Sequence, residues 1–167
     1  WEWPSYFDPK ERLKGIRLSV SKWRRPSPET IPCDTKAAGL YMICTLSKHD
    51  AERNGYADSL MLDYEGFVAE ATGANVFFIK NNEIHTPSPD CFLDGITRRT
   101  VIELAKIRGL SIIERKILPD EMADFTECFL TGTAVEVTPV SQIGEYDFMP
   151  GQITKDLMED YTNLVNR

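Results

Sequence analysis

Two residues of the sequence could carry covalent and acid–base chemistry. Lys36 lies between a proline-rich stretch and an apolar segment with helical spacing. A lysine held rigidly there could form a Schiff base if its pKa were depressed, although a surface charge is the plainer interpretation. Glu70 precedes the small residues of 71–75, which would let a ligand approach the backbone closely or would simply form an exposed turn.

Two further segments could hold an anion. Gly95-Ile96-Thr97 begins a segment with helical spacing, and the unpaired N–H groups of a helix N-terminus can bind a phosphate. Thr131-Gly132-Thr133-Ala134 follows an apolar strand and offers hydroxyl groups, or forms a plain tight turn. A lysine, an acid at a small-residue loop and two hydroxyl-bearing loops together form a set that pyridoxal phosphate could use. We interpret Arg98 and Arg99 as a solvated helix face.

Composition narrows the class of protein. The 167 residues match one domain, and 42% hydrophobic with 27% charged residues is typical of a folded soluble chain. The net charge of −7 argues against nucleic-acid binding, which needs a basic face. No apolar run approaches the roughly 20 residues that span a bilayer. Two histidines and four dispersed cysteines predict no metal site, no disulfide framework and a reducing, cytoplasmic location.

Hydrophobic periodicity predicts strands and helices in alternation. We predict helices at 37–54, 96–108 and 153–165, and a short helix opened by Pro119-Asp120. Strands are expected at 16–22, 59–64, 67–70, 76–80, 83–86, 111–118, 128–131 and 135–140, with Asn81-Asn82 as a two-residue hairpin turn. The predicted fold class is therefore α/β, with a mixed sheet that curls into a partial barrel and helices packed on it.

Four motifs, taken in order, resemble the large domain of branched-chain-amino-acid aminotransferases, which belong to the class-IV, fold-type-IV pyridoxal-phosphate-dependent enzymes. The similarity extends over essentially the whole chain. The motifs are Thr30-Ile31-Pro32 with Lys36-Ala37-Ala38-Gly39-Leu40-Tyr41, Gly66-Phe67-Val68-Ala69-Glu70-Ala71-Thr72-Gly73-Ala74-Asn75-Val76-Phe77, Leu93-Asp94-Gly95-Ile96-Thr97-Arg98, and Thr131-Gly132-Thr133-Ala134-Val135-Glu136-Val137-Thr138-Pro139-Val140.

This resemblance implies a role for each matching residue. Lys36 would bind the cofactor covalently and move the catalytic proton, Glu70 would pair with the ring nitrogen, and Tyr41 would bond the phenolic oxygen. Leu93 would pack on the ring face. The phosphate ligands would be Gly95, Ile96, Thr97 and Thr133. Thr133 and Ala134 would bind the substrate carboxylate, and Trp3 and Tyr6 would line the side-chain pocket.

The resemblance also implies a domain organisation. Residues 1–15 would be the remnant of an interdomain segment and residues 16–167 the cofactor-binding large domain. The family's smaller N-terminal domain, which carries an arginine that binds the phosphate, would be absent. We therefore expect a homodimer or higher homo-oligomer whose activity as this chain alone is impaired.

The implied reaction transfers the amino group of leucine, isoleucine or valine to 2-oxoglutarate, so the partners are a small amino acid and a 2-oxo acid. Two alternatives stay open at this point. One is a relative that acts as a D-amino-acid aminotransferase or an aminodeoxychorismate lyase. The other is a folded fragment without catalytic activity.

Overall fold

The strands form one mixed sheet in this computed structural model, which describes residues 13–166. Nine strands lie in that range: β1 (Ile16–Arg24), β2 (Asp58–Leu62), β3 (Val68–Ala71), β4 (Asn75–Lys80), β5 (Glu83–Thr86), β6 (Ser111–Glu114), β7 (Glu127–Gly132), β8 (Glu136–Ile143) and β9 (Tyr146–Asp147). Three α-helices accompany them: α1 (Tyr41–Arg53), α2 (Ile96–Ile107) and α3 (Gln152–Val165). Two 3₁₀ helices cover Ala38–Leu40 and Pro119–Asp124.

Six of these strands close into a barrel. Their order around the ring is β3-β2-β1-β8-β7-β4, and β4 pairs again with β3 through Glu70 and Asn75. β1 runs parallel to both neighbours, whereas the other pairs of the ring are antiparallel. β5 and β6 extend the sheet outward from β4. The predicted mixed sheet with packed helices is confirmed, and its curl closes completely.

Alternation along β4 shows how the barrel is filled and covered. Val76 and Phe78 belong to a buried cluster that draws residues from all six strands of the ring. Phe77 points to the opposite face, because successive strand residues alternate, and stacks on Phe129 of β7 with ring centroids 4.9 Å apart. This outer cluster also holds Val101 of α2 and Leu157 of α3, so the two helices cover one side of the barrel.

The element bounds differ from the sequence expectations at several ends, and β8 continues to Ile143 and not to residue 140. The helix expected from residue 37 begins as the 3₁₀ turn before α1. β6 ends at Glu114 and not at residue 118, because its partner β5 ends at Thr86, the residue that pairs with Glu114. β9 has no counterpart in the prediction. Asn81 and Asn82 adopt positive φ as the hairpin prediction requires. Within residues 13–166, no helix is long and apolar enough to cross a membrane.

Candidate functional site

A cavity of about 390 Å³ opens at one end of the barrel. The loop before α1, the β3–β4 turn, the start of α2 and the end of β7 meet there. All eight residues predicted to contact a cofactor line it: Lys36, Tyr41, Glu70, Leu93, Gly95, Ile96, Thr97 and Thr133. Ala134 follows on the exposed β7–β8 connection without lining the cavity. Trp3 and Tyr6 lie outside the described residues.

Glu70 is a buried carboxyl group near the end of β3. Its backbone faces Met61 of β2 and Asn75 of β4, so the ladder on both sides fixes where its side chain points. Burial raises the pKa of Glu70, the Arg25 guanidinium opposes this effect and the nearby carboxyl of Asp58 adds to it, and the resulting pKa is about 8. An acid in this state is poised to exchange a proton near neutral pH.

Arg25 is the nearest cation to Glu70, and the sequence analysis did not single it out. Its Nε lies 3.4 Å from Glu70 Oε1, and its side chain is only 4% exposed. The same Nε donates to Cys91 O at 3.3 Å, and Nη1 donates to Cys44 Sγ at 3.4 Å. The guanidinium therefore joins the end of β1 to α1 and to the loop before α2. Its position inside a proline-rich connector gave no sequence signal for this role.

Lys36 reaches the cavity from a loop that is fixed by short local bonds. Thr35 Oγ1 donates to Pro32 O at 2.9 Å, and Thr30 Oγ1 donates to Ser27 O at 2.7 Å. The Lys36 side chain is exposed to the cavity mouth. Tyr41 begins α1 beside it, and burial together with the Glu70 carboxyl raises the pKa of its hydroxyl. An amine, a phenol and an acid thus share one cavity.

A short turn connects Glu70 to β4 and is held from β2. Ala71 N–H donates to Ala74 O at 2.8 Å, which closes the turn over Thr72 and Gly73. Thr72 Oγ1 donates to Asp58 Oδ1 at 2.6 Å, and Asp58 is itself buried. The small residues of this turn are thus held at the cavity edge, where the sequence predicted close approach of a ligand.

The first residues of α2 line the cavity. The N-cap is Gly95, whose lack of a side chain leaves the helix uncapped by its own residue. Within residues 13–166, no side chain accepts a hydrogen bond from the backbone of Ile96, Thr97 or Arg98. The Thr97 hydroxyl has one weak contact, 3.4 Å from Tyr161 Oη of α3. This arrangement suits an anion.

Thr131 supplies a second sign that a polar ligand fits. It lies one residue before the end of β7 at the cavity wall and is 1% exposed, yet its Oγ1 has no hydrogen-bond partner within the described part of the chain. Buried hydroxyl groups are normally paired, so a ligand with polar atoms would fit this wall better than an apolar one. Gly132 and Thr133 continue the wall toward the mouth.

Arg98 and Arg99 separate onto two faces of α2, so their interpretation as one solvated face is wrong for Arg98. Its side chain is 2% exposed, and its guanidinium binds Asp94 at 2.8 Å and Glu114 at 2.6 Å. Successive helix residues are about 100° apart, which turns Arg98 toward β6. Arg99 stays 61% exposed and lines the cavity.

These residues fit the chemical groups of pyridoxal phosphate. Lys36 is an amine for its aldehyde, Glu70 an acid for its ring nitrogen, and the start of α2 an anion site for its phosphate. The orphaned Thr131 hydroxyl adds a donor beside them. The described side chains therefore define a cofactor-type site with an acid end and an anion end.

Comparison with known proteins identifies the family. The family described as amino-transferase class IV matches residues 2–143. The chain belongs to this class IV aminotransferase family. It is 42% identical over 161 residues to a probable branched-chain-amino-acid aminotransferase of Rickettsia conorii. The aligned region covers 94% of this chain and 56% of that protein.

Two solved structures share the fold. A branched-chain aminotransferase of Thermoproteus uzoniensis with norvaline superposes with a TM-score of 0.92 at 33% identity, covering 99% of this chain and 55% of that one. An aminotransferase of Brucella abortus bound to the cofactor PLP gives a TM-score of 0.89 at 31% identity, covering 100% and 58%. The chain thus spans little more than half the length of the relatives it matches.

Proposed function

We propose that residues 16–167 are the pyridoxal-phosphate-binding domain of an enzyme that transfers the amino group of leucine, isoleucine or valine to 2-oxoglutarate. The observation that carries the proposal is the convergence of Lys36, Glu70 and the start of α2 on one cavity. Residues 1–15 would connect this domain to a second one. The branched-chain preference rests on the names of the relatives, and a norvaline complex among them supports an amino-acid substrate.

The cofactor would be held at its two ends by different chemistry. Glu70 would bind the ring nitrogen and Tyr41 the phenolic oxygen. Backbone N–H groups of Ile96 and Thr97, with the hydroxyls of Thr97 and Thr133, would bind the phosphate. Leu93 would contact the ring face from the segment before α2. Bound there, pyridoxal phosphate supplies an electron sink and carries the amino group between the two substrates.

Glu70 would act as the proton reservoir of the acid end. Its pKa of about 8 keeps it protonated at neutral pH before a cofactor arrives. A basic ring nitrogen would take that proton and leave a carboxylate beside a cation, which is the favourable state for a buried pair. Arg25, 3.4 Å away, stabilises the same carboxylate from the other side. The chain thus holds a proton on the ring nitrogen during the reaction.

Lys36 would move the proton at the substrate α carbon. Its loop and the 3₁₀ turn before α1 place the amine at the mouth, where a substrate enters. The backbone N–H groups of Thr133 and Ala134 would bind the substrate carboxylate, and Trp3 and Tyr6 would line the space for its side chain. Positioned proton transfer of this kind contributes roughly 10²–10⁴-fold to rate.

We further propose a homodimer that works in the cytoplasm. Met42 and Leu46, one turn apart on α1, are exposed apolar side chains that a second copy could cover. Buried free thiols at all four cysteines are in keeping with a reducing compartment.

Covalent labelling tests the proposed function. The chain is saturated with pyridoxal phosphate, reduced with borohydride and mapped by peptide mass spectrometry. We expect the pyridoxyl label on Lys36, its loss in Lys36→Ala, and an unchanged label in Lys155→Ala, an exposed lysine on α3. A label on Lys48 or no label would overturn the assignment.

Substrate preference needs its own measurement. L-leucine and D-alanine are offered side by side as amino donors to the loaded protein, with 2-oxoglutarate as acceptor. Faster conversion of L-leucine supports the branched-chain assignment. Faster conversion of D-alanine would transfer the chain to the D-amino-acid branch of the family.

A further inference from the structure

Asn75 occupies the point where three segments of the site meet. Its backbone is the Cα partner of Glu70 in β3 and of Thr131 in β7, so β4 places it between the acid end and the orphaned hydroxyl. Its side chain lines the cavity wall and the residue is 5% exposed. A buried carboxamide is costly unless its donor and acceptor are both paired.

Both halves of that carboxamide bind the segment that leads into α2. Nδ2–H donates to Leu93 O at 2.9 Å, and Oδ1 accepts from Gly95 N–H at 3.3 Å. The two bonds span the segment from one end to the other. They tie the N-terminus of α2 to β4, whereas the helix itself packs mainly on β6, β7 and α3.

The contact with Asn75 leaves no room for a side chain at Gly95. A Cβ at this position would lie 2.6 Å from Asn75 Oδ1. The glycine has φ −64° and ψ 147°, a conformation that any residue adopts. The requirement for glycine therefore comes from the amide oxygen and not from the backbone, which makes Asn75 and Gly95 one matched pair.

We propose that Asn75 is the positioning residue of the phosphate end, holding Leu93 and Gly95 so that the first N–H groups of α2 stay aimed into the cavity. The proposal rests on the proposed function for the identity of the anion. It predicts that Asn75 acts on affinity for the phosphate group and has little effect on affinity for the ring.

The first test uses two ligands that differ only in the phosphate. Asn75→Ala should weaken binding of pyridoxal phosphate about tenfold, the loss expected for a displaced set of hydrogen bonds. Binding of pyridoxal should change less than threefold. Asn54→Ala is the matched control, because the Asn54 amide also bonds a backbone carbonyl, Asp50 O at 2.8 Å, at the far end of α1. Equal losses for both ligands would overturn the proposal.

The second test is a double-mutant cycle, which also serves if one variant folds poorly. Gly95→Ala should reproduce the loss seen in Asn75→Ala, and the double variant should be no weaker than either. Additive losses would contradict a matched pair.

Hydrogen exchange without any ligand separates this proposal from the proposed function. In Asn75→Ala, amides of 93–99 should exchange about tenfold faster while those of β7 keep their rates. Unchanged exchange at 93–99 would overturn the positioning role, whatever the chain binds. Faster exchange in a chain whose parent binds no pyridoxal phosphate would keep the role and overturn the function instead.

Discussion

The two helices that cover the barrel, α2 and α3, both begin after a glycine, but their N-terminal N–H groups have different partners. Both have a glycine N-cap, Gly95 for α2 and Gly151 for α3. At α3, Glu127 Oε2 accepts from Gly151 N–H and Thr154 N–H at 3.1 Å and from Thr154 Oγ1 at 2.6 Å. At α2, among residues 13–166, only the neutral Asn75 amide binds the N-cap, and the next residues, Ile96 and Thr97, line the cavity.

This difference shows how one local design serves structure and binding. A helix N-terminus attracts an anion through its free N–H groups and its dipole. The protein supplies that anion to α3 from β7, whereas at α2 the proposed phosphate would take its place. The acids differ in the same sense, since Glu127 accepts three hydrogen bonds from α3 while Glu70 has one guanidinium 3.4 Å away.

The largest expected effect concerns the poorly compensated acid. In the folded protein Glu70 stays protonated until the pH approaches its pKa of about 8, whereas in the unfolded chain it ionises near its ordinary pKa of 4.5. Below pH 4.5 both states hold the proton and stability is unaffected. As pH rises from 4.5 to 8 only the unfolded chain ionises, so the fold loses stability, by roughly 4 kcal/mol in total.

Glu70→Gln should remove this loss. In the cofactor-free protein, its free energy of unfolding relative to the parent should rise by about 4 kcal/mol between pH 5 and pH 9, measured by urea unfolding. Glu159→Gln, an exposed acid on α3, should show no such trend. Parallel pH curves for Glu70→Gln and the parent would mean that Glu70 is ordinarily ionised in the fold.

The next largest effect is expected when Glu127, which accepts hydrogen bonds from the start of α3, is removed. Glu127→Ala leaves two N–H groups and one hydroxyl without their acceptor, and should lower the free energy of unfolding by about 2 kcal/mol. The ratio of affinities for pyridoxal phosphate and pyridoxal should stay unchanged, because this helix start is structural. A changed ratio would show that the two helix starts are coupled.

Part of this comparison could be predicted from the sequence. The apolar run of residues 76–79 and the Asn81-Asn82 turn indicated a hairpin correctly, because strand-forming residues and turn chemistry are local signals. Lys36, Glu70 and Thr97 were singled out in the sequence because each is a side chain that can react or bind a ligand. Each also lies where a predicted strand or helix begins or ends.

The buried polar partners could not be predicted, because their burial depends on distant strands. Arg25 and Asn75 are enclosed only when β4 closes the ring against β3 and β7. Arg98 and Arg99 are adjacent and alike, and only the position of β6 decides which one is buried. Glu127 gave no sequence signal for its role, since Gly151, the N-cap of α3 that it binds, lies 24 residues later in the chain.

A smaller effect should follow from changing the open helix start itself. Thr97→Val keeps the shape of a buried side chain but removes the hydroxyl, whose only described partner is the 3.4 Å contact with Tyr161. Binding of pyridoxal phosphate should weaken about tenfold, with the free energy of unfolding changed by less than about 1 kcal/mol. Thr100→Val, one turn later and bonded to Ile96 O, should leave binding unchanged. If Thr97→Val lowered the free energy of unfolding without weakening binding, the start of α2 would have a purely structural role, as the start of α3 does.

The smallest expected effect concerns the cation at the cavity rim. Arg99 Nε lies 4.0 Å from Asp94 Oδ2, while the other oxygen of Asp94 binds the buried Arg98. Arg99 therefore offsets an acid at the phosphate end, but 61% exposure lets water and salt screen its charge. Arg99→Gln should weaken binding of pyridoxal phosphate about threefold at low salt, and the difference should vanish near 0.5 M salt, because the Debye length shortens there to about 4 Å. Arg53→Gln, which changes a somewhat more exposed arginine paired with Asp50 on α1, should have no effect at either salt concentration. A loss that persists at high salt would mean that Arg99 bonds the phosphate directly, and the start of α2 would then share its anion with a cationic side chain, unlike α3, which binds Glu127 through N–H groups and a hydroxyl.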